Sequence, residues 1–136
     1  MTCHQHRALR TALIGAVAAG SLALATAPAS AKSSLTFTAG PRAVRLGGVV
    51  HATGKASDDN ASFNKVCVQQ RRGSAAWHNV VCSKPARHTG GTVNATVRAR
   101  QRGHLQLRAV LFEGRSPNDL HPRARSVSRT FTVTVR

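Results

Sequence analysis

The sequence predicts an all-β domain, an antiparallel β-sandwich of about seven short strands, preceded by an export signal. Three observations carry this. Apolar and polar residues alternate along most of residues 33–136, and no apolar stripe at helical spacing runs for ten or more positions. The alternating runs are short, are bounded by Gly, Pro, Asn and Asp, and recur about every 8–12 residues. Their apolar members are mostly Val, Ala and Leu, small or branched residues that suit strands packed face to face.

The first 31 residues are set apart. Arg7 and Arg10 give a basic start with no acid. Ala12 to Ala27 carries no charge, and Pro28 precedes the small-residue run Ala29-Ser30-Ala31. This is the layout of a secretory signal peptide with a cleavage site before Lys32. A membrane-spanning helix needs about 20 strongly apolar residues, and this stretch is shorter and Ala-rich. Cys3-His4-Gln5-His6 has the look of a metal site, but processing removes it. Position 32 is a lysine rather than a lipidation cysteine, so the expected product is a soluble monomer of residues 32–136.

Residues 32–136 contain 18 Lys and Arg against Asp58, Asp59, Glu113 and Asp119, a formal charge of +14. Their length is that of one domain. Cys67 and Cys82 are the two cysteines left after processing. An even count in an exported chain points to a disulfide, and no C-x-x-C or H-x₃-H pattern offers a metal site.

In chain order, Leu35 to Thr38 alternates and stops at Gly40-Pro41. Val44 and Leu46 form a short second segment, and Val49 to Lys55 follows Gly47-Gly48. Ser57 to Ser62 has turn composition. Lys65 to Arg72 and Trp77 to Cys82 form a hairpin around Ser74-Ala75, in which paired positions sum to 149. That register sets Cys67 opposite Cys82, where a disulfide can close. It places Val66, Val68, Trp77 and Val81 on the core face and sets Arg72 opposite Trp77. Val93 to Ala99 and Leu105 to Leu111 are half-buried strands. Gly114 to Arg125 is a long loop with Pro117 and Pro122, and Val127 to Val135 closes the domain.

The segments Val66-Cys67-Val68-Gln69-Gln70-Arg71-Arg72…Trp77, Gly103-His104-Leu105-Gln106-Leu107-Arg108-Ala109-Val110 and Thr132-Val133-Thr134-Val135 resemble the immunoglobulin-like modules of secreted actinobacterial proteins. The likeness extends over most of residues 33–136. Two features depart from antibody domains: the cysteines fall within one hairpin, and tyrosine is absent. The resemblance implies a scaffold and no particular activity. It also implies that the Cys67 and Leu105 strands are neighbours. Gln69, Arg71, Gln106 and Arg108 would then share an outer face with Thr132 and Thr134.

Enzymatic chemistry is not expected. Asp58 and Asp59 are neighbours on a turn, Glu113 and Asp119 belong to the last loop region, and no nucleophile motif frames any serine or histidine. Asp58-Asp59-Asn60 lacks the spaced ligand pattern of calcium loops and reads as a capped turn. No cofactor or metal is expected.

The charge is the feature that asks for a partner, because a strongly basic surface attracts polyanions over long range. The alternative is a solvated surface in an Arg-rich composition, since no block of five or six basic residues occurs. Candidate polyanion contacts are Arg71 and Arg108, together with Arg98, Arg100 and Arg102, which share a side if their strand continues. A candidate recognition loop carries Arg115, Asn118, Asp119, His121, Arg123 and Arg125. Nucleic acid is disfavoured, as the domain has one tryptophan and four phenylalanines, mostly on core phases. The expected function is a secreted, non-enzymatic module for an anionic cell-wall polymer or an extracellular protein. A small-ligand carrier similar to the enediyne-binding apoproteins, or a secreted inhibitor or antimicrobial protein, are the alternatives.

Overall fold

A computed structural model describes residues 33–60 and 62–136. The expected signal peptide, residues 1–31, lies outside the described residues. What is described is all-β, with two sheets facing each other. One sheet has the order β1 (Ser34–Gly40), β3 (Val49–Ser57), β7 (Gly91–Arg98). The other has the order β2 (Ala43–Val44), β10 (Phe131–Val135), β8 (Gly103–Gly114), β4 (Phe63–Arg72), β5 (His78–Cys82). Two short pieces complete the second sheet: β6 (Ala86–Arg87) pairs β4 and β9 (Arg123–Val127) pairs β8.

The pairing β4–β8 runs from Phe63↔Gly114 to Arg72↔Leu105. It occupies one side of each strand along the whole length, so β5 and β6 must both lie on the far side of β4. By the same reasoning β9 and β10 form one interrupted strand on the far side of β8. Consecutive strands cross between sheets at β1–β2, β2–β3, β3–β4, β6–β7 and β7–β8, and β2 runs parallel to β10. This is immunoglobulin-like connectivity.

The alternation read from the sequence is realised as burial. Val50, Ala52 and Ala56 of β3 and Val93, Ala95 and Val97 of β7 meet Val66, Val68, Leu105, Leu107, Ala109, Leu111, Val133 and Val135 across the interface. Gly54 sits in this layer with no room to spare, since a Cβ there would lie 3.1–3.3 Å from Ala109, Val66 and Val93. Small residues on β3 let the two sheets approach closely.

The Cys67–Cys82 disulfide is present, 15 residues apart in sequence. It points away from the sandwich interior: Val66 and Val68 face the core, so Cys67 faces outward by the period-two rule, packed beside the buried Val110.

Two expectations are corrected. The hairpin register holds for Cys67↔Cys82 and Val68↔Val81, then shifts by one residue, giving Gln69↔Asn79 and Gln70↔His78. Val80 is the extra residue of a β-bulge. The bulge moves Trp77 off the core phase and onto the side of Arg71. The loop after β8 is also shorter than expected, because Arg123 already belongs to β9.

Replacing both Cys67 and Cys82 by Ala is expected to lower the unfolding free energy by about 3 kcal/mol, measured by chemical denaturation, with the hairpin register kept. Gly90 lies directly against the Ala56 backbone, where a Cβ would overlap it. Gly90→Ala should therefore cost more than about 2 kcal/mol in the same measurement.

Candidate functional site: an arginine pair held on the outer face of a sheet

β4 and β8 present Gln69, Arg71, Gln106 and Arg108 outward, and the register makes two cross-strand pairs of them, Gln69↔Arg108 and Arg71↔Gln106. Each pair is hydrogen-bonded. Arg71 Nε donates to Gln106 Oε1 at 2.6 Å, and Arg108 Nε donates to Gln69 Oε1 at 2.9 Å. Gln69, only 8% exposed, donates in turn from Nε2 to Asn79 Oδ1 at 2.9 Å. The two guanidiniums are thus tethered through Nε, and their terminal nitrogens are left for other partners.

Trp77, displaced by the bulge, packs on both arginines. The guanidinium carbon of Arg108 is 4.1 Å and that of Arg71 4.5 Å from its ring centroid. Such contacts are worth about 0.5–1 kcal/mol at exposed sites, so their main consequence is to fix where the two charges sit. Among the described residues, no carboxylate lies within ion-pair distance of Arg71 or Arg108. Partial burial and the neighbouring Arg71 charge push the Arg108 pKa down from its ordinary value. Two like charges are held side by side with no acid between them.

The other candidate arginines fall elsewhere. The strand does not continue beyond Arg98, and Arg100 and Arg102 lie in the connection to β8. A common side for Arg98, Arg100 and Arg102 is therefore not realised. Arg98 and Arg100 instead line a groove of about 500 Å³ with Arg72, Gln70, Val80 and Gln101, while Arg102 stays outside it.

The β8–β9 turn holds a third cluster. Arg115, Asp119, His121 and Arg123 line a polar depression of about 430 Å³ with Ser62 and Glu113. Asp119 organises the turn: Oδ2 accepts from the Arg115 N–H and Oδ1 from the His121 N–H, both at 2.9 Å. Those two bonds hold its carboxyl below the usual range, helped by the Arg115 and His121 charges and opposed by slight desolvation. Asn118 is exposed and does not line the depression. Arg125 turns away to the buried Asp58, with Nε 4.0 Å from Oδ2. The Asp58–Asn60 segment is a turn closed by its own side chains. Asp58 Oδ1 accepts from the Asn60 N–H at 3.1 Å, and Asn60 Oδ1 accepts from the Ser62 N–H at 3.0 Å.

Sequence reading missed Trp77, Asn79 and Arg72. A bulge without a Gly or Pro leaves no local mark, so the first two were out of reach. Arg72 did carry a signal: it stands on the apolar phase at the end of a strand, where a charged side chain must leave the sandwich through its open end.

No family model matches this chain, and no curated protein matches it. Among solved structures it is similar to a β-glucosidase from Listeria innocua in complex with glucose, at 14% identity and a TM-score of 0.47, over 78% of this chain and 16% of that one. It is also similar to the CARDB domain of a Pyrococcus furiosus protein in complex with di-metal ions, at 12% identity and a TM-score of 0.46, over 78% of this chain and 89% of that domain. The chain thus spans about a sixth of the β-glucosidase.

A lowered carboxyl pKa means that the Asp119 bonds are fully formed above the unfolded aspartate range and are lost as pH falls through the folded value. The protection of the Arg115 and His121 amides against hydrogen exchange, taken relative to the intrinsic rate at each pH, should therefore fall on acidification. Asp119→Ala should show the low protection at every pH.

Proposed function

We propose that this protein is a secreted, non-enzymatic binding module for anionic polymers of the cell wall or its surroundings. The observation that carries the reading is the Arg71–Arg108 pair, tethered by Gln106 and Gln69, seated on Trp77 and unneutralised by any carboxylate among the described residues. Pre-positioned guanidiniums lose little freedom when they engage carboxylate, phosphate or sulfate oxygens. The disulfide suits an oxidising compartment, and no helix among the described residues is long and apolar enough to cross a membrane.

The charge distribution supports the same reading. All four acids belong to one end of the sandwich: Asp58 and Asp59 follow β3, and Glu113 and Asp119 lie where β8 turns into β9. The opposite end gathers Arg45, Arg72, Arg98, Arg100, Arg102 and Arg136 with no acid. A domain charged in this way orients as it approaches a polyanion.

Retention of the oxidised protein on Gram-positive walls, with and without the anionic polymers stripped, tests the proposal across a salt series. Binding should vanish on stripping and weaken steeply with salt, as counterion release requires. The double substitution Arg71→Gln/Arg108→Gln should cost at least tenfold in affinity and make the salt dependence shallower by about two contacts. Arg115→Gln/Arg123→Gln, which removes the same charge at the β8–β9 turn, should cost much less. Equal losses from the two pairs would reduce the effect to bulk charge and sink the specific site.

A further inference from the structure

We infer that the open edge of the sandwich between β5 and β7 is a second, separate binding site, for a tetrahedral oxyanion of the phosphate or sulfate type. Among the described residues, β5 and β7 are edge strands of their sheets, with no strand beyond either. The groove between them is lined by Arg72, Arg98, Arg100, Gln70, Gln101 and Val80 among others, and no acidic residue lines it. Its volume of about 500 Å³ accommodates a phosphate group together with part of whatever carries it.

Two of the three arginines are fixed without being neutralised. Arg72 leaves the core face at the end of β4 and donates from Nη1 to the Gln101 carbonyl at 3.1 Å. Arg98 donates from Nη1 to the Gly47 carbonyl at 3.0 Å. Each bond uses one of five N–H donors, so both guanidiniums keep donors for a ligand, and Arg100 adds a third charge. Carbonyl anchors of this kind hold a cation in place while leaving its charge uncompensated. The two arginine-lined sites are distinct in space. Arg71 and Arg72 are consecutive on a strand and point to opposite faces, so Arg71 serves the outer face while Arg72 serves the groove.

A ligand of this class forms several charge-assisted hydrogen bonds at once, which is where arginine outperforms lysine. Val80, the bulge residue, is 36% exposed and borders the same groove, offering an apolar contact beside the charges. The inference does not depend on the wall-binding reading, because it concerns a small anion and a different set of side chains.

The test is a backbone-amide NMR titration of the oxidised protein with inorganic phosphate, sulfate and tripolyphosphate at constant ionic strength, with chloride as the control salt. Saturable shifts centred on Thr96, Val97, Val80 and Gln101 are expected for the oxyanions and not for chloride. Tighter binding of tripolyphosphate than of the single ions would mark a chain-borne group as the natural ligand, whereas equal binding would mark a free ion. Arg98→Gln and Arg100→Gln should each weaken binding at least fivefold, and Arg129→Gln, far from the groove, less than twofold. Arg100→Gln is informative even if loss of the Gly47 contact unsettles the Arg98 variant. Shifts that are linear and spread over the surface, or equal losses from Arg100→Gln and Arg129→Gln, would overturn the site.

Discussion

The pairing of β4 with β8 is the constraint on which the rest of the structure depends. It joins Phe63–Arg72 to Leu105–Gly114 without interruption, and because strand side chains alternate, a single register decides both faces at once. Val66 and Val68 go inward with Leu107, Ala109 and Leu111, and Gln69 and Arg71 go outward with Arg108 and Gln106. A slip of one residue would place Arg108 and Gln106 in the core and expose a leucine row, a change too costly to tolerate. The hydrophobic pattern that stabilises the fold is therefore also what positions the arginine pair. The same two strands hold β5 and β6 on one side and β9 and β10 on the other, and β10 in turn holds β2.

The bulge at Val80 shows where sequence reading stops. Up to Val68 the hairpin follows from a number sum, because cysteine pairing and hydrophobic phase agree. Beyond it, an apolar residue that could sit on either face carries no sign that it lacks a partner. Period-two reasoning then sends Trp77 to the core, whereas the extra residue turns it outward onto Arg71 and Arg108. The arginines on β4 and β8 were legible, since their strands are regular. The ring that seats them was not.

Charge was legible as a total and hidden as a distribution. Asp58 and Asp59 stand more than fifty residues from Glu113 and Asp119, and only the sandwich topology gathers them at one end, where Ser62 Oγ donates to Glu113 Oε1 at 2.6 Å. Arg98, Arg100 and Arg102 look like a strand face in the sequence. They are divided because β7 ends at Arg98, and the long loop expected after β8 loses its last residues, Arg123 to Arg125, to β9. Turns and strand ends depend on pairing with distant segments, and short-range patterns do not record that.

The arrangement around Arg71 and Arg108 has an energetic asymmetry. Folding the sheet brings two like charges together and partly desolvates one of them, which is why Arg108 holds its proton less tightly than an ordinary arginine. Two glutamines and an indole offset that repulsion geometrically while adding no negative charge. An acid in place of Gln69 or Gln106 would relieve the strain and stabilise the domain, but it would also occupy the donors an anion needs. Neutral acceptors on Nε give rigid placement with the charge intact, so the free protein retains a repulsion that a bound oxyanion would remove. Arg72 and Arg98 repeat the device with backbone carbonyls as the neutral acceptors. Fixing cations with uncharged partners at two independent places is what separates these arginines from a merely solvated basic surface.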